Sequence, residues 1–391
     1  MNFERVACGF VPLVDCAPLV VARELGFASE EGIDLILESQ PSWSAIRDKL
    51  AFGDLQAAHM LSVLPVAMSM GLGGIPMRID ALSVLSVNGD VIGVSPQMAA
   101  RIKGLVPAHS AHRATAVGRA LVAAADGRLR VGVPFPFSMH AELLYYWLTA
   151  LGLEAPRNLD MRTVPPPRMA EAVRDGEIDA FCVGEPWGSV AVDAGDAEIA
   201  LPGAAIWQFA PEKVLAVRHE WVEDNRDVAL RLTRALWRAA RWLGESGNRL
   251  TVSDLLAQPE YVNRPAELID RALSGRLVLS ERRVPVQIPN FIEFYDRAAT
   301  FPWRSQAIWI ASRWAARAGI DRKDAIARAR ACYRSDLYRE ALSSLDADLP
   351  GASEKLEGGL ESRIAVASSR GEMFLGPDRF FDGAVFDPAE M

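Results

Sequence analysis

A weak internal duplication is the feature that most constrains the fold of this 391-residue chain. Residues 5–60 and residues 129–183 repeat one order of predicted elements, strand–helix–strand–helix–strand. The glycines near the ends of the helices correspond, since Gly26 and Gly152 are 126 residues apart and Gly53 and Gly176 are 123 apart. A repeated β-α-β-α-β unit predicts two α/β lobes. The alternative is a pair of unrelated α/β units.

The loops that follow the predicted strands indicate where a ligand would bind. In open α/β sheets, ligands sit beyond the carboxyl ends of the strands. The first repeat offers residues 10–15 and 40–43 there, and the second offers residues 135–140 and 165–167. Two facing sets of such loops predict a cleft with a hinge.

Residues 128–151 contain a predicted strand, the loop that follows it and the start of the next helix. Leu129–Val133 is typical of a buried strand, and residues 141–151 carry an apolar stripe at helical spacing. Ser138 can cap the helix, which puts His140 near its first turn. The free backbone N–H groups and the positive end of the helix dipole favour a small anion there. The ordinary alternative is a capped helix with a surface histidine.

The remaining chain is divided around the two repeats. We assign residues 1–96 and 206–391 to the first lobe and residues 97–205 to the second. The Asn88-Gly89 pair predicts a turn at the end of a strand, and residues 202–211 are interpreted as the return crossing. Helical patterns from about residue 260 to 345 predict a helical C-terminal extension, which we expect on the outside of the first lobe.

Charge and cysteine content exclude several classes of protein. The chain has 42 Lys and Arg against 50 Asp and Glu, a net charge of −8, which argues against direct nucleic-acid binding. Any anion must therefore meet a local group of donors. No Cys-x-x-Cys pair occurs, so neither a zinc site nor a disulfide framework is indicated, and reduced thiols fit the cytosol. The cysteines are Cys8, Cys16, Cys182 and Cys332.

The N-terminal region bears on the cellular location of the protein. Residues 6–22 are largely apolar, as in a signal peptide, but Arg5 is offset by Glu4, Asp15 interrupts the run and no clear cleavage site follows. No apolar run of about 18 residues occurs elsewhere, so no membrane span is expected. Unless the chain was trimmed, we expect a cytoplasmic protein.

Several motifs together resemble one family. The chain is similar to the nitrate- and bicarbonate-binding proteins of ABC importers, a branch of the type II periplasmic-binding-protein fold, over nearly its whole length. That resemblance implies an α/β protein with two lobes, a hinge and a ligand cleft. The matching segments are CGFVPLVDCAPLV (8–20), PSWSAIRDKL (41–50), AAHML (57–61), FPFSMH (135–140), VPPPRM (164–169), FCVGEPW (181–187), IWQFAPEKVL (206–215), AQPEYVNRP (257–265) and FDGAVFDP (381–388).

The resemblance also implies a binding site. In the nitrate-binding branch the residues at these motifs surround the anion, and a looser local match adds the Asn88-Gly89 turn. Ala141 stands where relatives often carry a polar residue. The predicted ligand-binding residues are Trp43, Asn88, Gly89, His140, Pro166, Val183, Gly184 and Lys213.

These residue types suit nitrate, a planar anion with three weakly accepting oxygens. Lys213 would supply charge, and His140 and Trp43 would supply ring N–H donors. Val183 and Gly184 would bring backbone close, and Pro166 would add a wall without an N–H. Each has an ordinary alternative: Trp43 as a core aromatic, Lys213 as a surface lysine. We expect no clustered carboxylate site, no metal and no cofactor, whereas bicarbonate would want an acceptor for its own O–H.

Three functions remain open, and we favour the first. The chain resembles cytosolic nitrate/nitrite sensors of assimilatory nitrate operons, which hold an RNA-binding ANTAR-type antiterminator until the anion arrives. The second is a nitrate or bicarbonate receptor of an ABC importer. The third, an enzyme like the thiamin-pyrimidine synthases, would need a Cys-rich segment that we do not find. We therefore expect a protein that is not an enzyme, with nitrate or nitrite and an antiterminator as partners.

Overall fold

The computed structural model describes residues 3–75, 77–106, 113–125, 127–154, 157–281 and 284–391. Its strands are β1 (Glu4–Phe10), β2 (Ile33–Ser39), β3 (Ala57–Leu61), β4 (Ile79–Asn88), β5 (Asp90–Val94), β6 (Leu129–Val133), β7 (Leu159–Thr163), β8 (Ala180–Gly184), β9 (Glu198–Pro202), β10 (Pro211–Arg218), β11 (Arg276–Leu277), β12 (Val286–Gln287), β13 (Ile292–Glu293), β14 (Ile364–Ala365) and β15 (Phe374–Leu375). Its helices are α1 (Ala17–Glu24), α2 (Phe27–Glu30), α3 (Trp43–Phe52), α4 (Val63–Ser69), α5 (Pro96–Lys103), α6 (Ala114–Ala124), α7 (Met139–Ala150), α8 (Met169–Arg174), α9 (Trp187–Asp193), α10 (His219–Asp224), α11 (Arg226–Leu243), α12 (Arg249–Leu256), α13 (Ala266–Ser274), α14 (Arg304–Ala318), α15 (Arg322–Cys332) and α16 (Ser335–Leu342).

Two sheets organise these elements. The first has the strand order β13-β4-β10-β3-β1-β2, and the second has the order β7-β6-β8-β5-β9. In the first sheet β1 is parallel to β2 and β3, while β10 is antiparallel to β3 and β4. In the second sheet β6 is parallel to β7 and β8, while β5 is antiparallel to β8 and β9. Apart from the short edge strand β13, the two sheets share one order, which confirms the predicted duplication.

Local capping explains where the repeated helices begin and end. The Ser42 hydroxyl accepts from the backbone N–H of Ala45 at 3.2 Å, and the Ser138 hydroxyl accepts from that of Ala141 at the same distance. Gly53, with φ +90°, ends α3 in the left-handed region that glycine tolerates. Helix α3 therefore spans Trp43–Phe52 between its serine cap and its glycine, and α7 begins at Met139, directly after the predicted cap Ser138.

The chain crosses from the first sheet to the second at Asn88-Gly89, where both residues have positive φ, +57° and +94°. The strand that follows, Asp90–Val94, pairs with β8 and β9. The predicted boundary at residue 96 is therefore corrected, since this strand belongs to the second sheet. Its apolar pattern would suit either sheet, and only pairing decides its place. The return lies between Pro202 and Pro211, as predicted.

The C-terminal extension packs on the first lobe. Helices α14 and α15 contact α4, and α15 and α16 contact β4. Tyr333 Oη donates to the Ser62 carbonyl at 3.0 Å, and the Arg334 N–H donates to the Ala81 carbonyl at 2.9 Å. Phe380, near the end of the chain, lies 4.8 Å from the Trp207 ring. Among the residues described, no helix combines the length and apolarity needed to cross a membrane.

A buried charge cluster between the lobes

The loops after the central strands of the two repeats meet. The Val14 N–H donates to the Glu185 carbonyl at 2.9 Å, and Trp187 Nε1 donates to the Pro12 carbonyl at 2.8 Å. Pro12 and Val14 follow β1, and Glu185 follows β8. The carboxyl end of β1 in the first sheet therefore faces the carboxyl end of β8 in the second, which is where ligands bind in α/β proteins.

Lys213 on β10 lies at the centre of a buried cluster of charges. Its side chain has no exposed surface. Its Nζ is 2.7 Å from Asp15 Oδ2 and 2.6 Å from Glu212 Oε1, and it lies 5.3 Å from the centroid of the Trp43 ring. A buried ammonium is stable only when its charge is paired; here the Asp15 carboxylate pairs with it, and Glu212 and a ring face add further contacts.

The first lobe adds a histidine to this cluster. His59 Nε2 lies 2.9 Å from Asp15 Oδ1, and the His59 and Trp43 rings are 5.6 Å apart. Trp43 is the first residue of α3, so the Ser42 cap that begins the helix also places the indole. His59 stands on β3, directly beside β10 in the sheet.

The second lobe completes the cluster from across the cleft. His140 Nδ1, at the start of α7, lies 3.2 Å from Glu212 Oε1. A Cβ built on Gly184 would lie 3.7 Å from Asp15 Oδ2 and 3.9 Å from His140 Nε2, so the end of β8 sits between these groups. Residues from both lobes therefore share one buried site.

Burial and charge pairing set the protonation of the central groups. Burial opposes ionisation of Asp15, but Lys213 and His59 outweigh it and hold the pKa of Asp15 below its ordinary value. Burial likewise opposes the Lys213 ammonium, and Asp15 and Glu212 outweigh it and raise its pKa. Burial raises the pKa of Glu212 to about 8, with Lys213 as the main opposing influence. At neutral pH the cluster thus holds one ion pair and a mostly protonated Glu212.

Burial lowers the pKa of both histidines. The pKa of His140 lies well below its ordinary value, and the pKa of His59 is also lowered although Asp15 opposes the shift. Both rings are therefore neutral at neutral pH, and each keeps one N–H donor. Burial also raises the pKa of Asp90, whose Oδ2 accepts from Cys182 Sγ at 3.1 Å.

Three rings in the cluster, those of Trp43, His140 and His59, have nitrogens without a hydrogen-bond partner among the described residues. All three side chains are at most 1% exposed. An unsatisfied buried donor costs roughly 1–3 kcal/mol. A small acceptor held near Lys213 would satisfy Trp43 Nε1 and the His140 N–H, so the arrangement suits a compact anion.

The structure brings together Trp43, His140, Gly184 and Lys213 from the predicted set. Val183, the neighbour of Gly184, pairs with Val91 inside the second sheet. Pro166 is buried at the start of the turn Pro166–Arg168.

The Asn88-Gly89 turn, which the looser match predicts as a ligand contact, makes contacts within the chain. The Asn88 amide donates to the Gln208 carbonyl at 2.9 Å and accepts from the Ala210 N–H at 3.1 Å. A Cβ on Gly89 would lie 2.9 Å from the Ile292 side chain. Asn88 therefore ties the outgoing crossing to the returning one.

The expectation that no carboxylates would cluster at the site is wrong. Asp15, His59 and Glu212 were missed, although Asp15 and His59 each carry a sequence signal. Asp15 interrupts the apolar run 6–22, and His59 interrupts the apolar strand AAHML. Among the residues described, no group of three or more His, Cys, Asp or Glu is arranged to hold a metal ion.

Fold and site define a class: two-lobed α/β binding proteins with a ligand site between the lobes. Residues 2–257 match the model of the NMT1-like family, and the chain belongs to that family. It is 30% identical over 396 residues to the nitrate/nitrite binding protein NrtA of Nostoc sp.. The aligned region covers 98% of this chain and 83% of that protein.

Two further relatives agree with this placement. The nitrate import ATP-binding protein NrtC of Synechocystis sp. is 33% identical over 341 residues, 86% of this chain, and the chain spans only 50% of that protein. The crystal structure of the periplasmic nitrate-binding protein NrtA from Synechocystis PCC 6803 superposes with a TM-score of 0.84 at 27% identity, covering 100% of this chain and 97% of that one. The predicted periplasmic-binding-protein fold is confirmed.

Proposed function

We propose that the protein binds nitrate or nitrite in the charge cluster between its lobes. The observation that carries the proposal is the buried Lys213 ammonium with the unpaired His140 donor opposite it, one from each lobe. Similarity to proteins named as nitrate/nitrite binding proteins supports the same ligand. The proposal describes binding without catalysis.

The protonation of the site fits a monovalent anion. Lys213, Trp43 and His140 supply N–H donors, and a protonated Glu212 can add an O–H donor. Asp15 already balances Lys213, so an incoming anion would meet a site with almost no net charge. A protonated Glu212 keeps the anion from facing a second buried negative charge.

Bicarbonate is the alternative ligand, and a specific feature favours it. Asp15 and Glu212 are acceptors that bicarbonate, with its own O–H, could use and nitrate could not. Calorimetry with nitrate, nitrite and bicarbonate, the last with and without calcium, tests the choice. We expect nitrate or nitrite to bind the native chain and a Lys323→Ala surface control, but not Lys213→Ala. Calcium-dependent bicarbonate binding without a nitrate response would contradict the proposal.

For the biological role we propose the substrate-binding component of an ABC importer for nitrate or nitrite. Relatives named for nitrate binding and nitrate import support this role, and closure of two lobes on an anion suits delivery. The sensor role with a cytoplasmic location is the second candidate. In its favour, the charge of −8 suits a basic RNA-binding partner.

Complex formation separates the two roles. An ANTAR-type antiterminator is co-purified with the protein from anion-free buffer, and nitrate or nitrite is then added before gel filtration. A sensor should release its partner, and Lys213→Ala should stay bound, because anion and partner favour different states. A complex that forms only with anion, or that ignores both anions, would rule out the release mechanism.

A further inference from the structure

A second cavity lies between α7 of the second lobe and α14 of the C-terminal extension. Its volume is about 520 Å³, within the range of about 300–1,000 Å³ that small-ligand sites occupy. None of its lining residues belongs to the charge cluster between the lobes. Side chains that line it include Tyr145, Thr149, Trp309, Arg313, Arg317 and Phe386.

Arg313 is the unusual member of this lining. Its guanidinium lies 4.9 Å from the centroid of the Tyr146 ring and 5.8 Å from that of Trp309. The side chain is half-buried, and burial lowers the pKa of Arg313. Within the described ranges it makes neither a hydrogen bond nor an ion pair, so aromatic faces are the nearest groups that compensate this partly desolvated cation.

The carboxylates nearest to Arg313 are occupied by other groups. Glu142 pairs with Arg317, whose guanidinium also lies 4.6 Å from the Trp314 ring centroid. Asp382 accepts a hydrogen bond from Tyr146 Oη at 2.8 Å. Both carboxylates oppose the lowered pKa of Arg313 from a distance without pairing with it. The charge of Arg313 is therefore available to a ligand in the cavity.

The walls indicate the kind of anion that fits. Most of the lining is apolar, with the rings of Tyr145, Trp309 and Phe386 and the side chain of Ile320. Flat rings favour a flat partner, and a planar guanidinium favours a carboxylate in bidentate geometry. We propose that this cavity binds an organic carboxylate with a flat, apolar body, its carboxylate paired with Arg313.

The test compares two probes of one shape. Calorimetry measures binding of 1-naphthoate and of its neutral isostere 1-naphthamide to the full chain. Arg313→Met removes the charge and keeps an apolar stem. Arg363→Met is the matched control, because the Arg363 guanidinium also lies on a ring, 4.3 Å from the Phe374 centroid, but does not line the cavity. Ala316→Trp fills the cavity without removing a charge and decides the matter if Arg313→Met does not fold.

We expect one naphthoate per chain and at least about tenfold weaker binding of naphthamide, the loss typical of a charge-assisted contact. Arg313→Met should weaken naphthoate binding by a similar factor and Ala316→Trp should abolish it, while Arg363→Met leaves it unchanged. Lys213→Ala should also bind naphthoate normally, which keeps this site separate from the nitrate proposal. Failure of naphthoate to bind at millimolar concentration, equal binding of the two probes, or full binding by the Arg313 and Ala316 variants would overturn the inference.

Discussion

Two lysines in this molecule, Lys213 with a fully buried side chain and Lys355 with one that is 11% exposed, have the same immediate surroundings and different positions. Each ammonium lies within 2.7 Å of two carboxylates, Asp15 and Glu212 for Lys213, and Glu357 and Asp378 for Lys355. Each also lies near an indole whose N–H has no hydrogen-bond partner among the described residues, Trp43 and Trp303 respectively. A buried lysine between two acids, even beside a free indole, is therefore no sufficient sign of a ligand site.

The two sites differ in whether all of their carboxylate oxygens are hydrogen-bonded and in whether both lobes contribute residues. Around Lys355 all four carboxylate oxygens are hydrogen-bonded, because Ser305 Oγ donates to Glu357 at 2.6 Å and the Leu360 N–H donates to Asp378 at 2.8 Å. All of these groups belong to the C-terminal extension. Around Lys213, Glu212 Oε2 has no described partner, and His140 reaches the cluster from the other lobe. The first arrangement suits a structural ion pair, and the second suits a site that changes when the lobes move.

The largest expected effect is on stability at Lys355. Lys355→Ala should lower the free energy of unfolding by about 3–5 kcal/mol, because it leaves Glu357 and Asp378 buried without their cation. Urea denaturation measures this, and calorimetry on the folded variant should show unchanged nitrate affinity. A loss of stability below about 1 kcal/mol would show that the Lys355 cluster is not a structural ion pair.

Lys213→Ala should have the next largest effect, on binding. Nitrate affinity should fall by about 1.5–3 kcal/mol or more, the value of a charge-assisted contact. The fold should survive with a smaller loss of stability than in Lys355→Ala, because Asp15 retains His59, whose ring can take up a proton. Native nitrate affinity in Lys213→Ala, alongside a functional Lys323→Ala control, would show that the cluster is not the anion site.

His140→Ala should weaken nitrate binding less than Lys213→Ala. Burial keeps the His140 ring neutral, so it contributes an uncharged hydrogen bond worth about 0.5–1.5 kcal/mol. Calorimetry on both variants gives the ranking. An effect on binding as large as that of Lys213→Ala would mean that His140 carries charge in the complex.

The smallest expected effect is the pH dependence of nitrate binding. The pKa of Glu212 is about 8 in the free protein, raised mainly by burial, and a bound anion nearby would raise it further. The complex then holds more protons than the free protein, so affinity should fall as pH rises through the pKa of Glu212. Glu212→Gln should flatten the profile. Affinity that rises with pH in the native chain would contradict this protonation scheme.

The sequence by itself determined the duplicated lobes, because that information is local. Helix α7 begins directly after the predicted cap Ser138, since a serine cap acts within a few residues of where it stands. Resemblance to the nitrate-binding branch led to Trp43, His140 and Lys213, and the structure places all three in one buried cluster.

Tertiary structure alone decided which groups accompany Lys213 and which sheet contains Asp90–Val94. Strand β10 lies between β3 and β4, where Lys213 pairs with Leu61 and Leu215 pairs with His59. The Asp15 carboxylate, in the loop after β1, contacts both His59 and Lys213. The contacts made by Lys213 and Leu215 join residues about 150–200 positions apart. Strand order creates them, and neither periodicity nor capping in any one segment encodes that order, because both act only on near neighbours in the chain.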